Sequence, residues 1–176
     1  MNGNKMTQTP NSCDLEKTNR ENHVEIRVSA DPANLCIVRS AVQKAAEKSG
    51  LNQKSIDAVT LALEEALANT IRHGYGGPCN KPIIVSLNRL NADENHPAGL
   101  EILIRDFGRQ VDPGNIKGRD LDDVRPGGLG VHIIYSSMDE VEYSCPTDGG
   151  MQLRLVKYLN SSKPKETDSK SPKTRE

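Results

Sequence analysis

The sequence predicts an α+β two-layer sandwich, with a mixed, mostly antiparallel sheet and helices on one face. Three observations predict it. Several short stretches alternate apolar and polar residues, longer ones carry apolar stripes at helical spacing, and the segment order is β-α-α-β-β-loop-α-β-β. No internal repeat and no second domain are visible in the order of segments.

The first strand is "HVEIRVS", where Val24, Ile26 and Val28 alternate with polar residues. A helix follows over "DPANLCIVRSAVQKAAEKSG". Asp31 caps it, Pro32 suits the first position, and Gly50 suits the left-handed residue past its end. Leu35, Val38, Val42 and Ala45 form its apolar stripe. The second helix opens at Asn52, with Leu51 and Ile56 spaced as a hydrophobic staple, and runs to Arg72 or His73 before Gly74. "KPIIVSLNRL" and "GLEILIRD", joined by the polar "NADENHPA", pair as antiparallel strands. A long segment poor in apolar residues, "FGRQVDPGNIKGRDLDDVRPGG", marks a functional or disordered loop. "LGVHIIYSSM" reads as a short helix, and "DEVEYSC" and "GGMQLRLVKYL" as a closing strand pair.

Composition sets the limits. Of 176 residues, 35% are apolar, with one Phe and no Trp, so the core is aliphatic and modest. Both ends are rich in Ser, Thr, Pro and charge and lack periodicity, which predicts disordered tails over 1–22 and 160–176 and one domain over 23–159. A net charge of -1 does not call for nucleic acid. No run approaches the roughly 18 apolar residues of a membrane span, and no signal peptide is recognisable, so the expected location is cytoplasmic. The four Cys and four His show no metal-ligand spacing, so neither a protein-only metal site nor a disulfide framework is expected.

Three segments carry candidate chemistry. On the second helix Ile56, Val59, Leu63, Leu67 and Thr70 make the core stripe, while Glu65, Asn69 and Arg72 share the opposite side. Glu64 projects sideways, and Ala62, Ala66 and Ala68 keep the flanks small. A carboxylate beside an amide one turn away suits a general base and a Mg²⁺ ligand; the same spacing also suits a solvated face. Asp106 ends a strand before Phe107 and Gly108, which fits an ordinary turn or an acceptor for an amino group such as that of adenine. In "RPGGLGVHII", glycines 127, 128 and 130 lead into a helix, with Leu129 between the last two. This is the start of either a flexible loop or a phosphate cradle.

Taken together and in order, ExxxN on a helix, DxG after a strand and a long loop closing at GxG before a helix resemble the GHKL (Bergerat-fold) ATPases. "EEALANTIRHGYG" and "GGLGVHIIYSSMDEVEY" resemble more closely the anti-sigma-factor serine/threonine kinases within them. The resemblance implies Glu65 as general base and Asn69 as Mg²⁺ ligand. It implies Asp106 on the adenine amino group, Gly108 beside the ring, and Gly127, Gly128, Leu129 and Gly130 at the phosphates. Arg125 would reach the γ-phosphate, and 109–126 would form a lid. Two departures stand out: Gln110 replaces a frequent second glycine, and "DGGMQL" lacks the threonine of a later glycine-threonine element. The implied function is a protein kinase using ATP and Mg²⁺, phosphorylating an anti-anti-sigma protein, regulating a sigma factor and forming a homodimer. The rival expectation is a non-catalytic nucleotide-binding anti-sigma module.

Overall fold

A computed structural model describes residues 22–94, 97–116 and 129–159. The expected tails, Asn22 apart, lie outside the described residues, as do 117–126 of the expected lid and the candidates Arg125, Gly127 and Gly128.

Five strands form one sheet: β1 His23–Ala30, β2 Cys79–Leu90, β3 Gly99–Asp106, β4 Glu140–Ser144 and β5 Gln152–Tyr158. Their order is β1-β2-β3-β5-β4, and every described pairing is antiparallel, so the sheet is uniform rather than mixed. The strand that comes last in the sequence thus lies inside the sheet. Strand β2 begins at Cys79, two residues before the expected Lys81: Asn80 and Lys81 bulge out of β2 between the Ser29–Pro82 and Ala30–Cys79 pairs.

The helices are α1 Leu35–Ser49, α2 Gln53–Asn69 and α3 Leu129–Ser137. Asp31 caps not α1 itself but a short 3-10 turn, Pro32–Asn34, that leads into it, and Gly50 ends α1 at φ 90. Asn52 caps α2 by accepting the Ser55 amide at 2.9 Å, and Leu51 and Ile56 are both buried beside it. Apolar residues of all three helices pack on Ile83, Val85 and Leu87 of β2, Leu100, Ile102 and Ile104 of β3, and Leu153 and Leu155 of β5. Those strand residues alternate along their chains, so the helices cover one face of the sheet.

Four expectations need correction. Ala62 is a core residue, 0% exposed, because α2 is flanked by α1 and α3 as well as seated on the sheet. Thr70 is only half-buried, and Val24, near the start of edge strand β1, is 49% exposed. Helix α2 also does not run uninterrupted to His73. After Asn69 the chain widens into a π-helical turn, Thr70–Gly74, closed by the Tyr75 amide on the Thr70 carbonyl at 3.1 Å.

The uncovered face is tied across all five strands by polar side chains. His23 bonds Asn88 at 2.6 Å, Asn88 donates to Glu101 at 2.9 Å, and Arg154 bridges Glu101 and Glu140 at 2.6 Å each. Tyr158 completes the ladder by donating to Glu140.

Candidate functional site

A cavity of about 870 Å³ opens between α2, the N-terminal part of α3 and the ends of β3 and β5, within the usual range for small-molecule sites. Its walls carry most of the described candidates: Glu65 and Asn69 from α2, Asp106 from β3, and Leu129 and Gly130 from α3.

The α2 wall follows from helical spacing. Glu65 and Asn69 are one turn apart and both half-buried, with Arg72 a further turn along on the same wall. Neither Glu65 nor Asn69 has a hydrogen-bond partner among the described residues. What approaches them is backbone. A β-carbon built on Gly130 would lie 2.6 Å from Glu65 Oε2 and 3.2 Å from Asn69 Nδ2, so glycine lets the start of α3 come down onto this pair. Glu64 points elsewhere and forms an ion pair with Arg39 of α1.

Asp106 is built differently. It is 4% exposed, and its Oδ1 accepts the Gly108 amide at 2.8 Å and the Met151 amide at 3.4 Å. Burial pushes its carboxyl above the ordinary value of 3.8, while the two amides and the Arg105 guanidinium pull it back. Oδ2 has no partner among the described residues, so one lone-pair-bearing oxygen is left for a donor in the cavity.

Gly108 does not line the cavity. A β-carbon there would overlap the Gly74 carbonyl, so the glycine of DxG is required by the close passage of two backbones. Gly150, at φ 66, plays the same part on the other side, where a β-carbon would overlap the Asp106 carbonyl. Gln110, in place of the frequent second glycine, donates to the Pro146 carbonyl at 2.8 Å and ties the loop to the turn before β5. Arg105 secures that turn further, donating to Asp148 at 2.7 Å and to the Gly149 carbonyl at 2.6 Å. Met151, which follows the glycine pair where the threonine is missing, lines the cavity, and its amide reaches Asp106.

Sequence reasoning missed the opposite wall. Tyr143 of β4, Leu153 of β5, Met151 and Ile133 give the cavity an apolar side. Alternation along β4 and β5 could have placed Tyr143 and Leu153 on the helix side. Burial, with Tyr135 nearby, pushes the Tyr143 phenol up to about 12. Arg109 and His73 also line the cavity and were not singled out.

Helices on one face of an antiparallel sheet, with a cavity between a polar helix face and a strand-end aspartate, are the arrangement of the GHKL class of ATPase domains. The sequence bears this out: residues 28–157 match the family described as Histidine kinase-like ATPase domain, and the chain belongs to that family. It is 27% identical over 154 residues to the serine-protein kinase RsbW of Bacillus subtilis (strain 168), covering 82% of this chain and 91% of that one. To the serine-protein kinase RsbW of Staphylococcus aureus (strain MRSA252) it is 26% identical over 148 residues, covering 80% and 89%. The crystal structure of the RsbU and RsbW domains of Rv1364c from Mycobacterium tuberculosis shares the fold, with a TM-score of 0.52 at 16% identity. That match covers 78% of this chain and 32% of the longer one.

Proposed function

We propose that this chain is an ATP-dependent serine/threonine protein kinase whose substrate is an anti-anti-sigma protein and whose regulatory target is a sigma factor. The observation that carries the proposal is the gathering of Glu65, Asn69, Asp106 and Gly130 around one cavity. Similarity to serine-protein kinases supports the acceptor class. The kinase would work in the cytoplasm as a homodimer, through a domain spanning 23–159. Among the described residues no helix is long and apolar enough to cross a membrane.

Asp106 offers Oδ2 to the adenine amino group, and the apolar side of Met151 and Leu153 receives the ring. Gly127, Gly128, Leu129 and Gly130 offer backbone amides to the phosphates, and Arg125 adds positive charge at the γ-phosphate. Among the described residues no group of three or more His, Cys, Asp or Glu can hold a metal. The donor set therefore fits a Mg²⁺ ion that takes one protein ligand, the Asn69 amide oxygen, and completes its shell with nucleotide phosphates and water. When bound, such an ion neutralises charge on the phosphates.

In the transfer, the acceptor hydroxyl oxygen forms a bond to Pγ, the bond from Pγ to the bridging oxygen breaks, and ADP leaves. Glu65 takes the hydroxyl proton. It has no competing hydrogen bond among the described residues, so its carboxylate is available to do so. Positioning and charge neutralisation supply most of the rate.

The test is transfer of labelled γ-phosphate from ATP to a small partner encoded beside this chain. Phosphate on a serine or threonine of that partner is the expected result. A chain that binds ATP and a sigma factor yet labels no such partner is a binding module, and the kinase reading fails.

A further inference from the structure

Three consecutive amides follow Asp106, and each is held by a different acceptor. The Phe107 amide donates to the Tyr75 hydroxyl at 2.8 Å, the Gly108 amide to Asp106 Oδ1 at 2.8 Å, and the Arg109 amide to the Gly74 carbonyl at 2.8 Å. Two of the three acceptors lie at the end of the π-helical turn that follows Asn69. Tyr75 alone makes the first link with a side chain. Its hydroxyl also donates to the Pro82 carbonyl of β2 at 2.5 Å, next to Ile83, the residue paired with Asp106.

We propose that Tyr75 is a positioning residue for Asp106 and thereby sets the preference for adenine over guanine at the cavity; this rests on the nucleotide reading above. A hydrogen bond to a carboxylate is directional, so its worth depends on where the oxygen stands. Met151 fixes Asp106 from the β5 side, through the bond between the Asp106 amide and its carbonyl at 3.0 Å. On the other side the chain leaves the sheet at Phe107, a residue 37% exposed; the Tyr75 hydroxyl holds its amide, and the Arg105 guanidinium lies 4.4 Å from its ring centre. Burial raises the Tyr75 phenol above its ordinary range, so it stays protonated and keeps donating to Pro82 while accepting from Phe107.

The wide turn is what brings Tyr75 to this place. A π turn takes one residue more than an α-helical one, which displaces the following side chains by about 100° around the axis. The Tyr75 ring packs against the core, and its hydroxyl reaches between β2 and the residue after β3. Gly108 lets its backbone touch that of Gly74 beside it.

Adenine presents an amino donor to Asp106, whereas guanine presents a carbonyl oxygen at the equivalent edge and gains nothing from a well-placed carboxylate. Disturbing Asp106 should therefore affect ATP and spare GTP. A purely structural role for Tyr75 would instead lower stability and weaken both nucleotides alike.

The experiment is calorimetric titration of ATP and GTP into the full chain and its Tyr75→Phe variant, with thermal melts in parallel. The expected result is about a tenfold loss of ATP affinity, the scale of one hydrogen bond's contribution, with GTP affinity unchanged. Equal losses for both nucleotides, or an unchanged ratio, overturn the proposal and leave the nucleotide reading standing. A parent chain with no preference for ATP overturns both. If Tyr75→Phe does not fold, hydrogen exchange on the parent decides. The Phe107 amide should be protected despite the residue's exposure, and free exchange there overturns the anchor.

Discussion

The two polar walls of the cavity are held in opposite ways. At the Asp106 wall the carboxylate is buried, bonded to two amides, and enclosed by glycines that admit no side chain. At the Glu65–Asn69 wall both side chains are half-buried and unpartnered among the described residues, with the backbone at Gly130 close by. One wall is preorganised, and preorganised groups recognise a fixed shape with little ordering cost. The other leaves its side-chain atoms without partners among the described residues, which suits groups that take up a proton or bind an ion. Under the proposed function, recognition falls to the first wall and chemistry to the second.

The comparison breaks most visibly at Glu65. Glu65→Gln keeps the shape and removes the basicity, so transfer to the partner should fall by about 10²–10⁴-fold while ATP binding measured by calorimetry persists. Asn69→Ala, one turn away, should lose Mg²⁺-dependent nucleotide binding and transfer together.

Asp106→Asn comes next. A charge-assisted bond is exchanged for one with an amide, and ATP affinity should fall by the roughly 1.5–3 kcal/mol such bonds contribute, with GTP little changed. The wild-type wall also carries a pH signature. Because burial raises the Asp106 pKa, the folded chain binds this proton more tightly than the unfolded one. Its contribution to stability is therefore fully present below the unfolded value and lost as pH rises through the folded one. ATP selectivity runs the other way, since the charged carboxylate accepts more strongly than the neutral acid, and fades as pH falls through that raised value. Denaturant melts and nucleotide titrations across the acid range should show both trends in the parent and neither in Asp106→Asn.

Gly108→Ala sharpens the comparison from the packing side. The added methyl overlaps the Gly74 backbone, so a stability loss of about 1–3 kcal/mol is expected in a denaturant melt, typical of overpacking. Smallest of all should be Glu64→Gln. Its partner Arg39 and Glu64 itself are both substantially exposed, at 45% and 35%, so the pair is worth less than about 1 kcal/mol and transfer should be unaffected. Adjacent glutamates would then differ in their effect on transfer by at least about a hundredfold.

What could be read in advance was local. Asn52 as a cap, Leu51 with Ile56 as a staple, and Gly50 as the left-handed end each depend on neighbours a few residues away, and all three hold. The placement of Glu65 and Asn69 on one wall follows from helical period alone. The π-helical turn had no such signal, because it accompanies a meeting of Gly74 with Gly108, more than thirty residues downstream. For the same reason Gly108 was read as making room for a ring, when the nearer constraint is the backbone it crosses. The buried Ala62 was read as flanking the surface because a helical wheel for α2 cannot know that α1 and α3 close around it, whereas Ala66 does line the cavity. Arg125, Gly127 and Gly128 lie outside the described residues.

The bond from the Met151 amide to Asp106 joins residues 45 apart in sequence. It also comes from the segment that leads into β5, the strand inserted between β3 and β4. During synthesis, then, a chain that has delivered α2, β3 and α3 possesses nearly every residue of the cavity but not the strand that closes its floor. The growing polypeptide has to hold β3 without its inner neighbour until the last element arrives. A chain that stops before the segment leading into β5 would therefore lack Met151 and Leu153 of the cavity wall, and with them the amide that Asp106 accepts from Met151.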